Sequence, residues 1–237
     1  MSTTTSDAQG ALLGTGAVLV WNDVSAEGRE QFYQWHDKEH IPERLALPGF
    51  RRGRRYRCEG HSPEWLTLYE ADDIGVVVSP AYMARLNAPT PLTQKTLQYF
   101  LNTSRAVCSI AHSVGTSSGG HVLALRLDVS VEGVAAMRAY LEGDAFPRAL
   151  AITGVLACHL YGADSPASHL DTAESSTRTF DVPAWVVLVE ASTAEGAESA
   201  RALVDADALQ RFGATVRQDA AIYALEICRL PVAEPSN

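Results

Sequence analysis

The feature that most constrains the fold of this chain is an internal repeat. Residues 23–56 align without a gap on residues 128–161, and ten of these 34 positions are identical. Average composition would give about two identities by chance. A shift of 15 further residues brings WLTLYEA (65–71) onto WVVLVEA (185–191). Duplication on this scale indicates two copies of one structural unit.

Each copy shows the same order of predicted elements. Apolar alternation predicts strands, and the Asp-Val-Ser stretch after the first strand supplies N-cap residues for a helix. The predicted segments of the two copies are strands 17–24 and 121–129, helices 26–46 and 131–151, strands 50–58 and 155–162, strands 64–71 and 184–191, helices 79–100 and 194–211, and strands 104–113 and 222–230. The order β-α-β-β-α-β is that of the ferredoxin-like unit.

The repeat also predicts how the two units pack. A ferredoxin-like unit has helices on one face of an antiparallel sheet, so the other face must be covered. We expect an α+β fold in which two tandem units pack their sheets face to face as a fused dimeric α/β barrel. The space between the sheets would be the ligand cavity. The expected bounds are a disordered N-terminus at 1–12, units at 13–116 and 117–232, an exposed loop within 162–180, and a tail at 233–237.

Composition argues against several classes of function. The net charge of −9 is opposite to that of a general nucleic-acid binder. The four cysteines are widely spaced and form no CxxC pair, which favours reduced thiols in a cytoplasmic protein. No apolar run approaches the roughly 20 residues of a membrane span. We therefore expect a small-molecule substrate as partner, with no nucleic acid and no membrane, and a monomer (pseudo-dimer) or a homodimer.

The stretch WHDKEHIPERL (35–45) contains the candidate catalytic residues. Its first part matches the H-x-x-E-H pattern of one group of zinc peptidases. The repeat provides an internal control, because His36 and His40 align with Leu141 and Ala145. Neither histidine is therefore required by the fold. A functional role is one interpretation, and drift at exposed positions is the other.

The proline in this stretch favours His40 as the functional residue. Pro42 cannot donate a backbone hydrogen bond, so the helix is expected to kink or end near His40. The helix dipole and the neighbouring Glu39 would then favour the imidazolium. We predict that His40 is a general acid or base, with His36 or Asp37 orienting it or the substrate. A mononuclear metal site that uses the two histidines and a carboxylate is the alternative.

The strand RRGRRYR (51–57) holds five arginines in seven positions. Strand alternation places Arg52 and Arg54 on one face, and comparison with the second copy predicts that this face lines the barrel interior. The two arginines would bind an anionic group there, with ion pairing to acidic side chains as the alternative. The predicted substrate-binding residues are Trp35, Arg52, Arg54, Tyr56, His159 and Tyr161.

The first copy resembles the dimeric α/β-barrel superfamily and, within it, the EthD-like proteins. The resemblance covers about residues 16–113, and the matching residues are Trp35, Glu39-His40-Ile41-Pro42, Pro48-Gly49-Phe50 and the strand Arg51–Arg57. It implies a fused dimer in one chain and a small organic ligand. Relatives in the superfamily include cofactor-free oxygenases, cyclases, decarboxylases, isomerases and haem-binding enzymes, so the fold does not choose the chemistry.

These observations predict an enzyme of small-molecule catabolism or biosynthesis. It would act by histidine acid/base proton transfer on an aromatic or carbonyl-bearing, anionic substrate, as a lyase, an isomerase or a cofactor-free oxygenase. No cofactor is predicted. One alternative is a haem- or metal-dependent enzyme on the same barrel, with His112 as a candidate axial ligand. A second alternative is a non-catalytic protein that binds a small ligand.

Overall fold

The computed structural model describes residues 11–169, 172–174 and 181–232, without the side chains of residues 218 and 219. Most of the predicted disordered N-terminus, the tail and part of the predicted loop lie outside these ranges. Ala11 and Leu12 fall within them and are buried. The described chain therefore begins against the barrel.

Eight antiparallel strands form a closed barrel in the order β1-β3-β2-β8-β5-β7-β6-β4. The strands are β1 Gly16–Val24, β2 Phe50–Arg57, β3 Trp65–Ala71, β4 Phe100–Gly115, β5 His121–Val129, β6 Val155–Ala163, β7 Trp185–Ala191 and β8 Ala214–Arg229. Each copy contributes one four-stranded ferredoxin-like sheet, and the sheets join where β2 pairs with β8 and β4 with β6. The predicted fold class is confirmed.

The last strand of each unit is longer than predicted. Both β4 and β8 have 16 residues. β4 pairs first with β1 of its own unit and then with β6 of the other, while β8 pairs first with β5 and then with β2. Each long strand therefore passes from one sheet into the next. These two crossings close the barrel and remove its open edges.

Helices cover the outer faces of both sheets. They are α1 Arg29–Trp35, α2 Ile41–Leu45, α3 Pro80–Asn87 and α4 Pro91–Leu97 in the first unit, and α5 Val134–Tyr140, α6 Phe146–Leu150, α7 Ser165–Ser168, α8 Ala194–Val204 and α9 Ala206–Gln210 in the second. The helical region predicted at 79–100 is interrupted at its prolines, because Thr90 caps a new helix that begins at Pro91. None of the described helices is long and apolar enough to cross a membrane.

A π-helical turn at His36–His40 joins α1 to α2. The backbone N–H of Ile41 donates to the carbonyl of His36, five residues earlier, and α2 then continues through Pro42. This wider turn accommodates a proline that an uninterrupted α-helix would not. The second unit has the same turn at Leu141–Ala145. The predicted kink or end near His40 is thus a π-helical interruption and not an end, so the helix-dipole argument for that histidine does not apply.

The packing differs between the two units. A continuous apolar core of leucine, valine, alanine and methionine fills the space between the second sheet and its helices. The corresponding space in the first unit holds two smaller clusters. Aromatic side chains, among them Trp21 and Tyr223, pack inside the barrel.

Candidate functional site

A cavity lies between the first sheet and helices α1–α4, on the outer side of the barrel wall. The space inside it that the centre of a water molecule can occupy is about 70 Å³. Its polar lining is Asn22, His36, His40, Arg44, Thr67, Tyr69, Tyr82, Arg105, Thr172 and Glu174, and its apolar lining is Val18, Val20, Trp35, Leu86, Leu97 and Phe100. This position differs from the one predicted from the sequence, which lay between the two sheets.

The repeat shows how this cavity arises. Six of its polar residues, Asn22, His36, His40, Arg44, Thr67 and Tyr69, have as counterparts Leu127, Leu141, Ala145, Ala149, Val187 and Val189. All six counterparts belong to the buried apolar core of the second unit. The strand registers agree with this alignment, since Val20 lies opposite Thr67 and Leu125 opposite Val187. One backbone thus carries a polar cavity in one unit and a close-packed core in the other.

His36 is a buried, neutral hydrogen-bond donor. Arg55 Nη1 lies 3.0 Å from His36 Nδ1, and because a guanidinium only donates, Nδ1 accepts and the ring proton is on Nε2. Nε2 lies 3.5 Å from the hydroxyl of Tyr69. Burial, and then the positive charges of Arg55 and Arg44, hold the pKa of His36 well below its ordinary value.

Asp37 and Glu39, the two predicted carboxylates, lie outside the cavity lining. Asp37 Oδ1 accepts from Arg55 Nη1 at 2.5 Å, so it reaches the neighbouring histidine only through the arginine. Glu39 accepts hydrogen bonds from Thr90 and Thr93 at the start of α4. Through these contacts, both carboxylates hold the π-helical turn in position.

His40 and Trp35 form one wall of the cavity. Their ring centroids are 4.2 Å apart with an interplanar angle of 34°. The indole Nε1–H of the buried Trp35 donates to Thr93 Oγ1 at 2.8 Å, which fixes the ring. An aromatic face stabilises a cation placed over it. The ring of His40 therefore lies against an indole face that is held in place.

Arg44 is the functional candidate that sequence reasoning missed. It is 3% exposed, and its Nη2 donates to Glu174 Oε1 at 2.7 Å. Burial lowers the pKa of Arg44 and Glu174 raises it, with a net shift upward. Nη1 is also buried, and among the described residues it has no hydrogen-bond acceptor. The repeat could have revealed this residue, because Arg44 in the first copy aligns with the apolar Ala149 in the second.

Gly53 gives Tyr69 its place in the cavity wall. A Cβ at position 53 would lie 3.2 Å from Tyr69 Cε1 and 3.1 Å from Ile41 Cγ2, closer than ordinary contact. The second unit has Cys158 at this position. Burial raises the pKa of Tyr69, so its hydroxyl stays protonated.

The remaining predicted binding residues face the barrel interior. Arg54 pairs with Glu70 and Glu190, each at 2.9 Å, and Arg52 pairs with Glu70 at 2.8 Å. His159 Nε2 lies 3.3 Å from Glu190. Burial raises the pKa of Glu190, but His159 and Arg54 lower it to a net value of about 2.

This interior network lies apart from the cavity that His40 lines. Tyr56 and Tyr161 pack in the same interior cluster. All five of these predicted binding residues are therefore separated by the first sheet from the cavity that His40 lines. The alternative of ion pairing describes the contacts of Arg52 and Arg54.

The described residues hold no cluster of side chains typical of a metal site. They include no group of three or more His, Cys, Asp and Glu side chains able to hold a metal ion. The rings of His36 and His40 are stacked, with centroids 5.6 Å apart. His112 lies 3.8 Å from Glu142 and stacks on Phe146 of the filled second-unit core.

The fold is an α/β barrel of two ferredoxin-like units, and the first unit carries a polar cavity. Solved structures with this fold include an anthrone oxidase-like protein, with a TM-score of 0.63 and 11% identity over 94% of this chain and 95% of that one. A candidate chlorite dismutase has a TM-score of 0.57 and 10% identity over 91% and 96%. A candidate monooxygenase from Lactobacillus acidophilus has a TM-score of 0.54 and 9% identity over 92% and 97%.

Structure comparison finds proteins with this fold, whereas sequence comparison finds no match. No protein-family model matches the chain, and the search of curated proteins finds no significant match. At identities near 10%, the structural likeness shows the fold alone. The finer resemblance to EthD-like proteins stays a prediction.

Proposed function

We propose that this chain is an enzyme that removes a proton from a hydroxylated aromatic or enolisable carbonyl compound in the first-unit cavity. The observation that carries the proposal is the set of six polar cavity residues whose counterparts pack as an apolar core. A fold that packs well with apolar side chains at these positions has no structural need for polar ones. Convergent polar groups in a partly apolar cavity are typical of a ligand site.

His40 is the proposed general base. The O–H or C–H bond of the substrate breaks, the proton passes to a ring nitrogen of His40, and the electron pair stays on the substrate and delocalises onto its oxygen. Trp35, 4.2 Å away, stabilises the imidazolium that results.

The groups opposite His40 stabilise the negative charge. Arg44 presents its Nη1–H to the cavity, and neutral His36 presents Nε2–H beside the hydroxyl of Tyr69. Donors fixed before the reaction stabilise a developing oxyanion more than mobile water does. The cavity thus supplies both a base and an oxyanion site.

We propose that the deprotonated substrate is then oxidised. A delocalised phenolate or enolate is electron-rich and reacts with dioxygen. With an anthrone, the methylene carbon loses two hydrogens and gains one oxygen atom, and the second oxygen atom leaves as water. The names of two structures with the same fold, an anthrone oxidase-like protein and a candidate monooxygenase, support oxidation over the lyase and isomerase alternatives.

Anthrone is therefore the probe for the first experiment. Oxygen uptake and anthraquinone formation are measured for the wild type, for His40→Ala and for the control His112→Ala, whose histidine lies outside the cavity lining. We expect His40→Ala to fold, because the second unit has alanine there, and to lose roughly 100-fold or more in kcat/KM. Full activity of His40→Ala rejects the base, and no uptake by the wild type with anthrone or its hydroxylated analogues rejects the oxidation.

A further inference from the structure

We infer that the cavity binds its ligand as a monoanion, with the ionised oxygen on Nη1 of Arg44, and that Glu174 restricts the cavity to one negative charge. The location of the site rests on the proposed function. The inference itself concerns the charge of the ligand and not the reaction that the ligand undergoes.

The first support is the unused donor of Arg44. Its guanidinium is 3% exposed, Nη2 is occupied by Glu174, and Nη1 has no acceptor among the described residues. A buried donor without a partner costs stability, so native structures almost always provide an acceptor. Hydrogen bonds from a guanidinium to an ionised oxygen are shorter and stronger than those to a neutral one.

The second support is the balance of charge in the cavity. Among the described lining residues, Arg44 and Arg105 are positive, Glu174 is negative, and His36 is neutral. Arg105 donates to two neutral oxygens, the carbonyl of Ser168 and the hydroxyl of Tyr82, at 3.4 Å each. With His40 in its neutral state, one positive charge is therefore left over. A monoanion brings the sum to zero, whereas a dianion leaves an uncompensated charge in a poorly solvated site.

The third support is the origin of Glu174. It lies 130 residues after Arg44, in the stretch by which the second unit is longer than the first. Its backbone N–H donates to the carbonyl of Leu86 at 3.3 Å, and the N–H of Ala173 donates to Asn87 Oδ1 at 3.1 Å. The second unit, whose own core is apolar, thus contributes a carboxylate to the cavity of the first unit.

The test uses 4-nitrophenol, whose ionisation is visible by absorbance. The purified full chain is titrated with it across pH, and the pKa of the bound phenol is compared with that of the free phenol. We expect the wild type to lower the pKa of bound 4-nitrophenol by about one unit, a tenfold preference for the anion. A bound pKa that is unchanged or raised, or no saturable binding, overturns the inference.

Two variants test the role of Glu174. Glu174→Gln should bind the dianion 4-nitrophenyl phosphate about tenfold more tightly than the wild type does, because one negative charge has left the cavity. Glu43→Gln is the matched control, since Glu43 precedes Arg44 but pairs with Arg85 at 3.2 Å outside the cavity lining. Equal effects of the two variants, or a wild type that binds the phosphate as tightly as the phenolate, overturn the selectivity.

His40→Ala separates this inference from the proposed function. It should lose turnover of anthrone and keep the lowered pKa of bound 4-nitrophenol. Loss of the pKa shift in a wild type that still oxidises anthrone rejects the charge inference alone. A shifted pKa with full turnover by His40→Ala rejects the base alone.

Discussion

Arg55 donates from Nη1 to Nδ1 of His36 over 3.0 Å, and this bond decides what His36 can do in the cavity. The same nitrogen donates to Asp37. Burial and the arginine therefore hold the histidine neutral, with its Nε2–H available as a donor. His40, one turn later, is the histidine that we propose takes up the proton.

The neutral state of His36 predicts how stability depends on pH. Its folded-state pKa is lowered, so below about pH 6.5 the unfolded chain binds a proton that the folded chain does not. Stability is therefore complete above that pH and falls as the solution is acidified, by up to about 1.4 kcal/mol per pH unit. His36→Leu should remove this slope between pH 6.5 and 5, as measured by urea unfolding.

Leucine is the suitable replacement because Leu141 occupies the matching position in the second unit. His112→Gln is the control for general titration, since His112 lies outside the cavity lining. An unchanged slope in His36→Leu would show that this histidine is not held neutral.

Gly53→Ala should narrow the cavity on the side of strand β2. The new Cβ would lie between Ile41 and Tyr69, at 3.1 and 3.2 Å, so one of them must move. We expect a loss of about 1–2 kcal/mol in the free energy of unfolding and weaker binding of 4-nitrophenol. Gly143→Ala is the control, because nothing lies within 4 Å of a Cβ there. Equal behaviour of the two variants would contradict this packing.

The interior network is predicted to stabilise the barrel. Glu190→Gln leaves Arg54 and His159 without their shared carboxylate, and we expect a loss of about 3–5 kcal/mol. The pKa of Glu190 is about 2 in the folded protein, against an ordinary value of 4.5. The contribution of Glu190 to stability is therefore present above pH 4.5 and lost toward pH 2. Below pH 4.5 the variant should therefore lose less stability than the wild type does.

Glu198→Gln removes an exposed carboxylate that pairs with Arg201, and it should change stability by less than about 1 kcal/mol. Urea unfolding compares the two variants. If both change stability equally, the interior network contributes no more than a surface ion pair.

The repeat was sufficient to predict the barrel, because both copies follow the same apolar alternation. It did not predict the full length of β4 and β8, and the missed residues lie mainly at the start of each strand, at 100–103 and 214–221. The π-helical turn was missed because the effect of Pro42 was judged for an α-helix alone.

The position of the cavity could not be read from alternation. Alternation predicted correctly that Arg52 and Arg54 face the interior, but not that Glu70 and Glu190 fill the space around them. Which side of a sheet has room depends on the volumes of side chains from distant segments. Arg44 shows that positions that are polar in the first copy and apolar in the second identify more of the site residues than the two histidines alone do.

A crystal structure of the full chain with 4-nitrophenol tests the central claim most directly. The ligand should lie between the first sheet and helices α1–α4, with its oxygen on Arg44 Nη1 and its ring beside His40. Ligand density inside the barrel, against Arg52 and Arg54, would contradict the account.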